Sequence, residues 1–148
     1  MRKSTRSSTA REIFVDTSGF FALLVAKDPM HARATEVLER ARKSKQRFVT
    51  TDYVLDETAT LLRARGAAHL VAGLFDAVFA SNACRIVWMD SVRFEGCRAY
   101  FLEHHDKDWS FTDCVSFSVM QELGLRRALT TDRHFAQARF EPLLVEEA

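Results

Sequence analysis

The sequence predicts an α/β fold in which a parallel sheet is flanked by helices. Short runs of β-branched and aromatic residues alternate with longer segments of helical periodicity along the chain. Strands that are regularly separated by helices pair in parallel through right-handed crossovers. The 148 residues are 47% hydrophobic and no linker rich in proline or glycine divides them, so we expect one domain with a sizeable core.

The first three elements follow from residue type and position. Residues 12–16 form a short β-branched and aromatic run that predicts a strand, and the two hydroxyl residues after Asp16 can cap a helix over 18–26. Helix 30–44 is predicted next. It ends in a basic run, and cations at a helix C-terminus interact favourably with the helix dipole.

The second strand candidate, 47–51, is again β-branched and aromatic, and helix 53–65 follows it. The remaining predicted elements continue the alternation: helix 67–81, strand 84–89, helix 91–104, a polar loop through Asp108, helix 112–123, strand 127–131 and a short helix from Asp132.

Two acidic residues, Asp16 and Asp132, come at the ends of predicted strands. Asp16 closes the first strand, and Asp132 follows the last one directly. Open α/β sheets bind ligands at the carboxyl ends of their strands. We therefore expect both acids to lie at the same edge of the sheet.

Two further acids are predicted to face inward from helices. Glu57 shares the apolar stripe of its helix with Val54 and Leu61, and Asp113 lies in the same way on the stripe of helix 112–123. No lysine or arginine stands at helical-neighbour spacing to either acid on that stripe. An inward carboxylate is costly unless it is paired or bound to a metal, so a shared cation is expected.

Each acid taken singly also has an ordinary structural explanation. Asp113 could stabilise a helix N-terminus, and Asp16 or Asp132 could cap the helix that follows it. The functional interpretation depends on all four acids together, with two at strand ends and two on inner helix faces.

These residues resemble the PIN domain family, in the branch of the VapC toxins. The resemblance rests on Val15-Asp16-Thr17-Ser18, the inward Glu57, Ser110-Phe111-Thr112-Asp113 at the start of a helix, and Thr130-Thr131-Asp132-Arg133-His134-Phe135. It extends from about Ile13 to Leu144. It implies a three-layer fold with a central parallel five-stranded sheet flanked by helices, occupying residues 12–148, and a metal-dependent endoribonuclease that acts as the toxin of a type II toxin–antitoxin system.

The resemblance also implies roles for individual residues. The catalytic and metal-binding residues would be Asp16, Glu57, Asp113 and Asp132. An acidic site with oxygen ligands alone favours Mg²⁺ or Mn²⁺. Thr17 and Thr130 are expected to orient water or phosphate, and Asp106 or Asp108 could replace Asp132 in the outer part of the site.

Three other interpretations are weighed against this one. A haloacid-dehalogenase-like enzyme would want a second aspartate where Ser18 stands, and a receiver domain would want paired N-terminal acids and a lysine after a late strand. Neither pattern occurs. A PIN-fold module that binds nucleic acid without catalysis stays open, although the four intact acids argue against it.

The charge distribution suits a polyanionic substrate such as RNA. The net charge is +1, but neutralising the four acids with metal leaves 21 basic residues against 16 acidic ones. The densest basic run supplies the predicted RNA contacts, which are Arg40, Arg42, Lys43 and Lys45. Residues 1–11 are predicted to be a flexible basic extension, because the first ten contain three cations and no acid.

Further predictions concern location and association. The longest apolar run, Phe20–Ala26, is too short to span a bilayer, and no secretory leader is evident, so the protein is predicted to be cytoplasmic. The three cysteines are odd in number and widely spaced, which indicates reduced thiols. The resemblance and the apolar content of helices 18–26 and 67–81 predict a homodimer, and a small antitoxin is expected to cover the acidic cleft.

Overall fold

The computed structural model describes residues 12–146 and confirms the predicted fold class. Its strands are β1 Ile13–Val15, β2 Phe48–Thr51, β3 Cys84–Val87, β4 Arg127–Leu129 and β5 Glu141–Pro142. Its helices are α1 Thr17–Leu24, α2 His31–Lys43, α3 Asp52–Ala64, α4 Val71–Ala80, α5 Ser91–Glu103, α6 Phe111–Leu123 and α7 His134–Gln137, with a 3₁₀ turn over Ala68–Leu70 before α4.

The five strands form one parallel sheet in the order β3-β2-β1-β4-β5. The chain moves outward from β1 to β3 and then crosses back to place β4 on the other side of β1. The strand order therefore reverses between β1 and β4. In open α/β sheets such a reversal opens a crevice at the carboxyl ends of the two strands, which is where ligands bind.

The core lies around the central strands, which are the most completely buried elements. Every residue of β1 is buried, as Phe14 exemplifies, and Leu129 of β4 is fully enclosed. Phe117 of α6 packs edge-on against Phe135 of α7, with ring centroids 4.9 Å apart. Helix α1 approaches β4 so closely that Gly19 touches the Leu129 backbone, which fixes the first turn of α1 beside the strand end.

Several predicted boundaries need correction. Helix 67–81 is in fact a 3₁₀ turn over Ala68–Leu70 followed by α4, because the Leu70 N–H bonds to the Ala67 carbonyl, three residues back. Helix 18–26 ends at Leu24, with Val25 already extended. The predicted helix from Asp132 begins only at His134, because the Asp132 carboxylate accepts a hydrogen bond from the His134 N–H as in a turn.

The fifth strand was implied by the family resemblance alone and was not found from the residues. It has only two residues, a glutamate and a proline, which are both poor strand formers, and it lies at the edge of the sheet where proline is tolerated. All three cysteines are free, as expected. Within residues 12–146 no helix is both long and apolar enough to cross a membrane. The predicted flexible extension, 1–11, lies outside the described residues.

Candidate active site

A polar cleft of about 490 Å³ opens at the carboxyl edge of the sheet, where the strand order reverses. All four predicted acids line it. Two further acids line it as well, so that its carboxylates belong to Asp16, Asp28, Glu57, Asp108, Asp113 and Asp132. The prediction that the two strand-end acids and the two helix acids converge on one place agrees with this geometry.

Asp16 is the most buried acid of the cleft, with 5% of its surface exposed. Its Oδ2 accepts hydrogen bonds from the Thr130 hydroxyl at 2.9 Å and the Ser18 hydroxyl at 3.2 Å. Burial raises the pKa of its carboxyl to about 7, and repulsion from Asp113 and Asp132 adds to the rise, while the bond from Thr130 opposes it. A nearby cation would reverse this cost, because it would favour the ionised form.

Thr130 joins the two strand-end acids. Its hydroxyl donates to Asp16 and accepts from the Asp132 backbone N–H at 3.0 Å. Ser18 makes a similar bridge, because its hydroxyl also accepts from the Thr131 N–H at 2.9 Å. These bonds lock the end of β4 to the start of α1, so the Asp16 carboxylate is held at a fixed position beside the backbone of Asp132.

Glu57 faces the cleft from α3, as its place on the apolar stripe predicts. Helix α3 begins at the edge of the sheet because the Thr51 side chain caps it, accepting from the Val54 N–H at 3.1 Å. Glu57 Oε1 accepts a 2.6 Å hydrogen bond from the Thr17 hydroxyl. A residue that directly follows Asp16 therefore positions the acid of another element.

Asp113 both caps the N-terminus of α6 and lines the cleft. It closes a capping box with Ser110, in which the Asp113 N–H donates to the Ser110 hydroxyl at 3.0 Å and the Ser110 N–H donates to Asp113 Oδ2 at 3.1 Å. Burial raises the pKa of its carboxyl, the bond from Ser110 opposes the rise, and Asp132 adds to it. The capping geometry thus aims a partly desolvated carboxylate into the cleft.

His134 lies between two of the acids and was not singled out from the sequence. Its Nδ1 is 3.3 Å from Asp113 Oδ2 and 3.3 Å from Asp132 Oδ1. Ligand atoms of these three residues lie within 4.8 Å of one another, which is a separation suited to a shared metal ion. The position two residues after Asp132 was the available signal, since the turn at Asp132 returns the His134 ring towards it.

Other predicted site residues are placed differently. The Thr17 hydroxyl donates to Glu57 and the Thr130 hydroxyl donates to Asp16, so each threonine orients one carboxylate. The role with water or phosphate stays a prediction. Of the two alternative outer acids, Asp108 lines the cleft and Asp106 does not.

The predicted RNA contacts lie away from this cleft. Arg40, Arg42, Lys43 and Lys45 belong to the end of α2 and the turn that enters β2, at the amino edge of the sheet. Arg40 pairs with Glu36 at 2.7 Å, and Arg42 with Glu39 at 3.4 Å. Arg42 and Lys45 instead border an apolar cavity of about 590 Å³, whose walls are formed by residues such as Phe20, Leu74 and Phe48.

The donor set fits a hard divalent ion. Six carboxylates line the cleft. Burial makes the ionised forms of Asp16 and Asp113 unfavourable, and a bound cation would stabilise them. One ion could be shared by Asp113, Asp132 and His134, because their ligand atoms lie close together. The charges of Asp113 and Asp132 also raise the pKa of Asp16, so Asp16 lies near the same place.

Comparison with known proteins places the chain in a family. The PIN domain family model matches residues 13–141. The 23S rRNA-specific endonuclease VapC20 of Mycobacterium tuberculosis is 35% identical over 129 residues, which cover 86% of this chain and 95% of that protein. A VapC ribonuclease of Archaeoglobus fulgidus is 30% identical over 115 residues, which cover 76% of this chain and 72% of that protein.

A solved structure agrees with these sequence matches. The crystal structure of Mycobacterium tuberculosis VapC20, described as a Sarcin-Ricin loop cleaving toxin, superimposes with a TM-score of 0.75 at 32% identity, covering 86% of this chain and 95% of that one. Similarity in sequence and in fold extends over the same large share of both chains. The predicted resemblance is therefore confirmed, and the chain belongs to the PIN domain family as a VapC-like member.

Proposed function

We propose that residues 12–148 form an endoribonuclease domain that hydrolyses RNA phosphodiester bonds with Mg²⁺ or Mn²⁺. The convergence of four positioned carboxylates at the reversal point of the sheet is the observation that carries the proposal. The ribonuclease class is that of the VapC relatives, and the metal dependence follows from the desolvated acids.

The chain's own side chains divide the task. Asp113, Asp132 and His134 would hold the ion, with the buried Asp16 as a further ligand. Glu57, fixed by Thr17, would add its carboxylate to the same cleft. When bound, the ion supplies charge neutralisation at the phosphate and makes an attacking water more acidic. Water adds to phosphorus, the bond to the 3′ oxygen breaks, and the products carry a 5′-phosphate and a 3′-hydroxyl.

RNA cleavage with and without metal tests the proposal. Purified protein should cut 23S rRNA or a looped RNA oligonucleotide in Mg²⁺ or Mn²⁺, and EDTA should abolish the cleavage. Asp113→Asn should lower the rate by roughly a hundredfold or more, because it removes the ligand charge while keeping the side-chain volume. Asp106→Asn is the matched control, since Asp106 lies in the preceding loop but does not line the cleft.

Two outcomes would contradict this function. Equal rates for the wild-type protein and Asp113→Asn would remove the proposed site. RNA binding without cleavage under any metal would favour the alternative of a PIN-fold binding module without catalysis. Comparing Asp132→Asn with Asp108→Asn further decides which acid completes the outer part of the site.

We also propose two partners. The related VapC20 is described as a toxin, and the first partner we propose is a small antitoxin. An inhibitor that places a basic side chain among the six carboxylates would compete with metal and RNA. The second partner is another copy of the chain. The surface formed by Phe75, Phe79 and Trp88, here called the aromatic patch, exposes large apolar side chains that a dimer would cover.

A further inference from the structure

The acidic cleft contains one arginine, Arg65, which is not among the proposed metal-binding residues. Among the residues of 12–146 that line this cleft, six are acids and Arg65 is the sole lysine or arginine. A strand of RNA carries a negative charge at every phosphate. A cleft with this balance needs a cation of its own to hold the parts of the strand that lie beyond the metal-binding acids.

The position of Arg65 follows from helix geometry. Glu57, Leu61 and Arg65 are spaced at i, i+4 and i+8, so they form one stripe along α3 and its C-terminal cap, and all three line the cleft. Eight residues of α-helix rise about 12 Å. Arg65 therefore stands about two helical turns from Glu57 along the cleft wall, and it pairs with none of the cleft's acids among the described residues. It is placed to meet a phosphate that neighbours the reacting one.

The guanidinium of Arg65 is available for a ligand. Its Cζ lies 5.2 Å from the centroid of the Phe21 ring, which also lines the cleft, so the ring supports one face of the planar group. Within residues 12–146 it makes no salt bridge, whereas Arg40, Arg42, Arg85, Arg93 and Arg98 each pair with an acid. An arginine of this kind keeps its N–H donors free for an anion.

We infer that Arg65 binds a backbone phosphate of the RNA strand flanking the scissile bond. This inference rests on the proposed ribonuclease function and names a contact within the same site. It assigns the cleft's RNA contact to the end of α3, in place of the basic run at the end of α2, which lies at the opposite edge of the sheet.

Matched variants on the same helix test the inference. Arg65→Gln removes the charge and keeps a polar side chain with the same first three carbons. Arg63→Gln removes an exposed charge two residues away that does not line the cleft. Binding of a fluorescein-labelled single-stranded RNA is measured by anisotropy in EDTA, across about 50 to 200 mM salt. Cleavage of the same RNA is measured in Mn²⁺.

We expect Arg65→Gln to weaken RNA binding by about 3- to 10-fold, and to lower the slope of log affinity against log salt by about 0.7, as for the loss of one phosphate contact on a single strand. In cleavage, KM should rise while kcat changes little, because the proposed contact is to a phosphate other than the reacting one. Arg63→Gln should match the wild-type protein, and Arg65→Lys should restore the salt slope.

The possible failures are distinguishable. If the wild-type protein cleaves RNA and the Arg65 and Arg63 variants have equal affinity, salt slope and KM, this inference is wrong and the ribonuclease function stands. If the wild-type protein neither binds nor cleaves RNA, the proposed function fails first. A drop in kcat for Arg65→Gln without a change in salt slope would indicate a structural role and would also overturn the inference.

Discussion

Asp16 shows how one residue connects burial, hydrogen bonding and ion binding. It follows a fully buried strand, so its carboxyl is desolvated, and two hydroxyls from different elements still hold it as an acceptor. The raised pKa, about 7, measures how poorly the metal-free fold tolerates its charge. A site that is destabilised without its ion gains the most from binding it.

The first prediction concerns the pH dependence of stability without metal. The Asp16 carboxyl ionises near 3.8 when unperturbed and at about 7 in the fold, so the native state holds this proton more tightly than the unfolded chain does. The free energy of unfolding should therefore fall as pH rises from about 4 to about 7, by on the order of 4 kcal/mol from this group. Asp16→Asn should remove that part of the decline, as measured by urea denaturation in EDTA across this range.

Metal addition is the matching experiment for Asp16. Saturating Mg²⁺ or Mn²⁺ at pH 7.5 should raise the melting temperature of the wild-type protein through linkage, and should raise that of Asp16→Asn less. Identical pH profiles for both proteins in EDTA, together with identical metal responses, would mean that Asp16 neither carries the burial cost nor shares an ion.

Among the elements, the contact between α1 and β4 decides the site geometry. Asp16, Thr17 and Ser18 all lie at the junction of β1 and α1, and Thr130 lies at the end of β4. The hydrogen bonds between these groups require the first turn of α1 to rest directly on the strand. Gly19 permits this approach, because a Cβ there would lie 2.1 Å from the carbonyl oxygen of Leu129.

The second prediction is that Gly19→Ala both destabilises the fold and impairs the site. The added methyl group must push α1 away from β4, at a cost of about 1–3 kcal/mol or more, and the shift would break the bonds that Ser18 makes across the cleft. Thermal unfolding and the cleavage rate should both report the change.

Gly73→Ala provides the matched control for that substitution. Gly73 lies in α4, and an added Cβ there meets no atom within 4 Å. Because alanine is the better helix former, this variant should gain about 0.5–1 kcal/mol and keep full activity. Equal effects of the two substitutions would show that the close approach of α1 to β4 has no importance.

At the scale of the whole molecule, the aromatic patch is the surface that calls for a partner. Phe79 is 59% exposed, and its ring lies 6.3 Å from that of Phe75 and 6.4 Å from that of Trp88. The apolar content of helix 18–26 is mostly buried within the fold, whereas α4 retains exposed rings. Of the two segments that motivated the predicted dimer, only the second contributes an exposed apolar surface.

The third prediction is a homodimer formed through this patch. Light scattering at micromolar concentration should give twice the mass of the 148-residue chain, and Phe79→Ser should shift it to the monomer, because a polar group would replace buried apolar surface. Leu102→Ser is the control. Leu102 is as exposed, at 61%, but lies near the C-terminal end of α5 and is not part of the aromatic patch. A wild-type monomer, or equal masses for both variants, would exclude this interface.

The sequence by itself determined the fold class and the convergence of the four acids on one cleft, because both depend on local order. The hydrophobic periodicity predicts the alternation of strand and helix. Positions at strand ends and on apolar helix stripes predict that four acids face one cleft, namely Asp16, Glu57, Asp113 and Asp132. The two-residue β5 had too little local signal to be read this way.

Only the tertiary structure decided which other side chains meet those acids. The basic run of α2 and Arg65 of α3 look alike in the sequence, yet one lies at the amino edge of the sheet and the other lines the cleft. Likewise the pairing of Thr17 with Glu57 and that of His134 with Asp113 join residues from separate elements. Such contacts depend on which strand ends lie side by side. That order is set by the crossover from β3 back to β4, which brings together residues far apart in the sequence. Local periodicity carries no information about such long-range pairing.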